Sequence, residues 1–286
     1  MIDFIKMHGT GNNYVYIDCI KNNYNEYNFS LLSEEISNQN YGIGSDGLII
    51  ICKSEKADAK MIMYNKDGSE GSMCGNGIRC VAKYVYENYK KNETLFIETK
   101  SGIKKIKIIL NNEHVISIIV DMGIPIFSSE AIPTTFKDKI IINKKIKIKN
   151  NELHINCVSV GNPHVVIFVK NIDNYDIEHF GNLIQKSSFF PNSCNVSFVQ
   201  IINKTKIKIR VFERGSGETF SCGTGACASV VIATINKYIN ENEEIEVELK
   251  GGKLYIIYNN NIYMKGPAEI ICYGKYIVKN KSIIKN

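Results

Sequence analysis

Two stretches, MCGNGIRC (73–80) and SCGTGAC (221–227), carry the same Cys-Gly-x-Gly signature, and their cysteines lie 222 − 74 = 148 residues apart. Other echoes hold the same order. GNNYVYI (11–17) returns as GNPHVVI (161–167), offset 161 − 11 = 150, and MYN (63–65) returns as VFE (211–213), offset 211 − 63 = 148. ETKSG (98–102) returns as ELKGG (248–252) at 150, and a glutamate stands four residues before each cysteine, Glu70 and Glu218. One such match is chance. Four in register imply two structurally similar halves, each with one cysteine loop.

Around each loop the pattern is the same. Ile78, Val81, Ala82 and Val85 follow the i, i+3, i+4, i+7 rule of a helix, as do Cys227, Val230, Val231 and Thr234. Ala228, Ile232 and Ile235 make the second helix apolar over most of its circumference, so other elements must enclose it. Alternating stretches such as KIKIIL (105–110), KIKIRVFE (206–213), EIEVELK (244–250) and KLYIIY (253–258) read as strands, with Gly251-Gly252 as a tight hairpin. The expected fold is α+β, with two pseudo-symmetric halves, each a strand-rich antiparallel barrel around a central helix. The halves are expected at 1–122, holding Cys74, and 123–267, holding Cys222. The apolar segment within 268–280 is expected to complete the first half.

A chain of 286 residues with 44% apolar and 22% charged residues has the composition of a globular protein rather than a disordered one. The formal charge of +6 does not point to nucleic acid, because the lysines of 140–150 and 205–212 alternate with isoleucine or valine as on a solvated strand face. No apolar run approaches a membrane span and the first residues lack a signal-peptide pattern, so no membrane partner and a cytoplasmic location are expected. Nine cysteines without a CxxC fit neither a disulfide scaffold nor a structural zinc site, and no metal is expected. Cys80 and Cys227, on apolar helix stripes, read as core.

A cysteine where a helix begins meets unpaired amides and the positive end of the helix dipole, which lower a thiol's pKa and can hold a carboxylate. Two such loops suit the inversion of a carbon α to a carboxylate: a thiolate removes a proton from one face and a thiol returns one to the other. The helix starts would stabilise the developing charge, and no sequence motif calls for pyridoxal phosphate or another cofactor. His164 in GNPH reads equally well as a structural histidine, and Glu213-Arg214 as a solvated pair. A non-enzymatic redox or metal-binding role for the cysteines is disfavoured by the missing CxxC and the shortage of histidines near either loop.

These motifs, with KMHGTGN (6–12), NKDGSEGSMCGNGIRC (65–80), GNPH (161–164), NV (195–196) and ERGSGETFSCGTGACAS (213–229), resemble the diaminopimelate epimerase family over nearly the whole chain. The resemblance implies a cofactor-independent epimerase of LL- and meso-diaminopimelate, a homodimer with its active site between two pseudo-symmetric halves. It assigns catalysis to Cys74 and Cys222, and the α-carboxylate to the helix-start amides at Gly75-Asn76 and Gly223-Thr224. Asn12 matches a substrate contact near the reacting end. Asn65, Asn162, Asn195 and Arg214 match those of the distal amino-acid group, and Glu213 and His164 match positions that influence cysteine protonation. Gly47 departs from the pattern, standing where some members carry a substrate-contacting glutamine, and Asn13 stands where aspartate is frequent. The nearest rival is a proline or hydroxyproline racemase of the same two-cysteine fold, whose second motif reads DRSPCGTG rather than ERGSGETFSCGTG.

Overall fold

Strands and helices alternate in the same order twice along the protein, whose structure, a computed structural model, describes residues 1–284. Two compact units result: unit 1 holds 1–120 and 266–286, and unit 2 holds 121–265. The division falls two residues before the expected 122/123 and 267/268 boundaries.

Unit 1 contains β1 (Ile2–Gly9), β2 (Asn12–Asp18), α1 (Phe29–Ser37), β3 (Gly47–Cys52), β4 (Ala59–Asn65), β5 (Glu70–Gly71), α2 (Gly75–Asn88), β6 (Thr94–Thr99), β7 (Gly102–Asn111) and β8 (His114–Gly123). Unit 2 follows with β9 (Lys144–Ile148), β10 (Asn151–Ser159), β11 (Pro163–Phe168), α3 (Ile177–Gln185), β12 (Asn195–Asn203), β13 (Lys206–Glu213), β14 (Gly217–Thr219), α4 (Gly223–Ile235), β15 (Ile245–Leu249), β16 (Gly252–Asn259) and β17 (Asn261–Gly266). The last strand, β18 (Glu269–Tyr276), pairs antiparallel with β1 in unit 1.

The strand rows correspond one to one. In unit 1 the neighbours run β18, β1, β2, β3, β4, β6, β7, β8, with β5 paired beside β4. Those of unit 2 run β9, β10, β11, β12, β13, β15, β16, β17, with β14 beside β13. Each row contains two parallel pairings, β2–β3 and β4–β6 in unit 1, and β11–β12 and β13–β15 in unit 2, so the sheets are mixed rather than antiparallel throughout. A helical connection is the cause: α1 and α2 carry the chain back to the start of the next strand, as α3 and α4 do later, and parallel neighbours need such a crossover.

Enclosure of the main helices follows from their sequence. Helix α2 packs against β1, β2, β4, β6 and β7, and buries Ile78, Val81, Ala82 and Val85 completely. Helix α4, apolar nearly all round, packs against β10, β11, β12, β13 and β16 and buries Cys227, Val230, Val231 and Ile232. Cys80 is likewise buried. The short helices α1 and α3 begin at Asn28 and Asp176, whose side chains accept N–H bonds from their first turns. The echoed glutamates also match: Lys100 Nζ lies 3.0 Å from Glu70 and Lys250 Nζ lies 2.9 Å from Glu218. Alternation on β9 buries Ile146 and Ile148 and leaves Lys145 and Lys147 exposed, as its sequence requires.

Among the described residues no helix is long and apolar enough to cross a membrane.

Candidate functional site

Each cysteine occupies the N-cap of its unit's main helix with extended backbone, Cys74 at φ −125° and Cys222 at φ −118°. The sulfur of Cys74 takes the place a serine oxygen usually fills, accepting the Gly77 N–H at 3.3 Å. It also donates to Asn12 Oδ1 at 3.4 Å. That Asn12 oxygen is aimed by Asp46, whose Oδ2 accepts from Asn12 Nδ2 at 2.9 Å and from the Asn13 N–H at 2.8 Å. Asp46 returns its own N–H to the Asn13 carbonyl at 2.8 Å. The loop before β3 therefore fixes the first residues of β2 beside the cysteine. Asp46 was not singled out in the sequence, since its role depends on the pairing of β2 with β3.

The second glycine of each loop serves packing. A Cβ on Gly77 would stand 2.6 Å from Ile49 Cδ1, and one on Gly225 would stand 2.9 Å from Val211 Cγ2. Helix and strand touch there, which only glycine permits. Gly47 has a similar explanation. Its φ is +155°, and a Cβ there would stand 2.2 Å from the Tyr64 carbonyl oxygen, so a glutamine cannot occupy this backbone. Asn65 lies opposite Gly47 in the β3–β4 register and donates its side-chain amide to Ser69 at 3.0 Å. It makes no hydrogen bond to Cys74 or Asn12.

In unit 2 the sequence-derived residues form a chain of contacts. Cys222 Sγ donates to Glu213 Oε2 at 3.1 Å, and Glu213 Oε1 accepts from Thr219 Oγ1 at 2.5 Å. Thr224 Oγ1 lies 3.5 Å from the same sulfur and 3.0 Å from His164 Nε2, which also lies 3.1 Å from Asn162 Oδ1. Burial, then the Glu213 carboxylate, pushes the Cys222 thiol well above its ordinary value. Bonds from the Thr224 hydroxyl and the Gly225 N–H of α4 oppose the shift without reversing it. His164 is fully buried and burial pushes its imidazole down to about 3, so the ring is neutral. Its Nδ1 is buried without a hydrogen-bond partner, and because Asn162 Oδ1 can only accept, the proton sits on Nε2.

A second group lies next to this chain. Asn195 Nδ2 donates to the Pro163 carbonyl at 3.2 Å, and Asn195 Oδ1 accepts the Arg214 N–H at 3.0 Å. The exposed Arg214 side chain donates to the Asn192 carbonyl at 3.2 Å, and Asn192 is a further neighbour that no motif announced. Glu218 belongs elsewhere: its carboxylate takes both prongs of Arg210, at 2.6 and 2.9 Å. The cavity of about 560 Å³ in unit 2, lined by Asn143, His154, Asn156, Lys170 and Tyr238 among others, contains none of the expected site residues. Among the described residues no group of three or more His, Cys, Asp and Glu is placed to hold a metal ion.

Known proteins resemble the chain at two levels. The family model described as diaminopimelate epimerase matches residues 4–128 and 156–271. A diaminopimelate epimerase of Bacillus cytotoxicus is 44% identical over 280 residues, covering 96% of this chain and 97% of that one, and one of Bacillus mycoides is 43% identical with the same coverage. Among solved structures, a probable proline racemase from Agrobacterium radiobacter K84 superposes with a TM-score of 0.71 at 11% identity, over 98% of this chain and 94% of that one. A Bacillus anthracis phenazine biosynthesis protein of the PhzF family superposes with a TM-score of 0.69 at 19% identity, over 97% and 99%. These last two share the fold. The family-model match and the whole-chain identity together show that the chain belongs to the diaminopimelate epimerase family.

Proposed function

We propose that the protein interconverts LL- and meso-diaminopimelate, in lysine and peptidoglycan precursor synthesis, by a two-base reaction of Cys74 and Cys222. The observation that carries the reading is that each cysteine caps the main helix of its unit, at matching places in the duplicated fold. The Cys74 sulfur accepts an amide N–H where the helix dipole favours negative charge, and the Cys222 thiol donates to a carboxylate that opposes its ionisation. The reaction needs one of the two as thiolate and the other as thiol. In one direction Cys74 removes the α-proton and Cys222 delivers its own to the opposite face; in the other the roles exchange. The first-turn amides at Gly75-Asn76 and Gly223-Thr224 hold the α-carboxylate and take up the charge that develops on it, the task an electron-sink cofactor performs in other amino-acid enzymes.

Asn12 contacts the reacting end. Asn65, Asn162, Asn195 and Arg214 recognise the distal amino-acid group, for which the exposed guanidinium offers a two-pronged bond to a second carboxylate. Glu213, and the neutral His164 acting through Thr224, set the protonation of Cys222. A reducing compartment such as the cytosol suits a mechanism that needs one thiol and one thiolate. A homodimer belongs to the same proposal, supported by the exposed apolar side chains Ile271 and Tyr273 of β18; light scattering would give twice the chain mass of 32.3 kDa.

Incubation in deuterated water tests the chemistry. Deuterium should enter the α-carbon of diaminopimelate and not that of proline, and Cys74→Ala or Cys222→Ala should each abolish epimerisation. Full epimerisation by either variant would overturn the two-base reading, and turnover of proline alone would overturn the substrate.

A further inference from the structure

Away from both loops, β2 and β3 end on a second pair of cysteines. The strands are parallel, with Asp18 opposite Ile51, and the N–H of Cys19 donates to the Ile51 carbonyl at 2.8 Å. In a parallel ladder that bond puts Cys19 level with Cys52. Residues level on neighbouring strands project from the same face about 4.8 Å apart, inside the Cα separation of about 4.4–6.8 Å that a disulfide spans. Both side chains pack beside the cluster of Ile17, Leu32, Ile36 and Ile50, and both are thiols that keep partial exposure. The backbone here is held: Asp18 Oδ1 accepts the Ile20 N–H at 2.8 Å, and Asp18 Oδ2 accepts the hydroxyls of Tyr84 and Tyr89.

The two thiols differ in character. Cys52 is lowered from the ordinary thiol value, first by the hydrogen bond from Cys19 and then by the ammonium of Lys60, its neighbour across the β3–β4 ladder; burial and Asp18 oppose the shift. Cys19 is raised by the same bond and by burial. Lys60 also pairs with Glu98 at 3.3 Å, so its charge is shared.

We propose that Cys19 and Cys52 are a redox modification site, a thiol pair that a small-molecule disulfide oxidises to an intramolecular disulfide between the ends of β2 and β3. The Cys52 thiolate attacks one sulfur of the small disulfide and expels one small thiolate. Cys19 loses its proton to solvent and attacks the Cys52 sulfur of the mixed disulfide, expelling the second. Two electrons pass from the cysteine pair to the oxidant, which leaves as two thiols. Cys272, exposed and without a neighbouring cysteine on β18, follows the other course and stops at the mixed disulfide.

The folded full-length protein would be incubated with oxidised glutathione, then denatured, alkylated at low pH and digested with trypsin. Peptide 7–21 joined to peptide 22–53 by one disulfide is the expected product, Cys272 carrying glutathione in the same digest. The cross-link closes the chain from 19 to 52 and should raise the melting temperature by roughly 5 °C or more, a rise that disappears with dithiothreitol or in Cys52→Ser. Recovery of Cys19 and Cys52 alkylated, each carrying its own glutathione, or linked to other cysteines would overturn the proposal.

Discussion

Asp46 makes no hydrogen bond to Cys74, yet it decides which way Asn12 faces. With its carboxylate on Asn12 Nδ2 and the Asn13 N–H, the amide oxygen of Asn12 is left for Cys74. Asp46→Ala frees that amide to turn, and misplacement of a reacting group by about 1 Å costs on the order of 100-fold in rate. The expected result is kcat down by roughly 10- to 100-fold with a smaller change in KM, and partial recovery in Asp46→Asn, which keeps one acceptor. Equal loss in both variants, tracking a lower melting temperature, would make Asp46 merely structural. His164 supplies a pH dependence of its own. Its folded value of about 3 lies below the ordinary 6.5, so the unfolded chain binds the extra proton as pH falls between them. Stability from this group is complete above about 6.5 and declines by about 1.4 kcal/mol per pH unit below it. Urea unfolding of the protein and of His164→Gln from pH 7 to pH 5 should show the shallower decline in the variant, and parallel curves would show that the ring titrates normally. The places of both cysteines at helix starts were readable from the motifs, because a Cys-Gly-x-Gly before an apolar helical period is a local signal. Asp46, Asn192 and Thr219 were not, because each reaches its partner only through strand pairing or a turn.

At the level of elements, the helices that follow the cysteines meet their strands through glycine, and the two consequences of replacing it have opposite signs. Alanine inside a helix gains about 0.5–1 kcal/mol over glycine from backbone entropy. At Gly77 the new methyl would stand 2.6 Å from the fully buried Ile49, and at Gly225 2.9 Å from Val211, and overpacking of this kind costs about 1–3 kcal/mol. The clash wins, so Gly77→Ala and Gly225→Ala should each lower stability in chemical denaturation; a gain would show that the neighbouring side chain turns aside at no cost. The same elements show how far patterning could be read. Strand alternation and the long apolar helices were legible because burial imposes the period directly. Helices α1 and α3 were not, being nine residues each with few fully buried apolar side chains, Leu32 and Ile36 in α1. Without those crossovers in view, the strands they connect read as antiparallel, although Asn28 and Asp176 carried the capping signal.

For the whole molecule, the repeat explains why β18 returns to pair with β1. In unit 2 the row starts with β9, which reaches β10 through a tight turn; in unit 1 the same place beside β1 is taken by β18, with Ile2 opposite Tyr276 and His8 opposite Glu269. The segment beyond β18 is tied to α1: Glu35 accepts the Tyr276 hydroxyl at 2.9 Å and the N–H groups of Lys279 and Asn280 at 3.1 Å each, and Ile283 is buried against Leu32 and Ile36. Burying Tyr276 and Ile283 is worth about 1.5–3 kcal/mol apiece, before the strand's hydrogen bonds are counted, against a total stability of about 5–15 kcal/mol for a domain. Removal of residues 266–286 should therefore unfold unit 1 and leave unit 2, which loses only Gly266 from the end of β17, able to fold. Limited proteolysis with mass spectrometry would then find cleavage throughout 1–120 and protection of 121–265, and the intact chain would be protected in both. Equal protection of both segments in the shortened chain would mean that β18 adds to unit 1 without being needed for it.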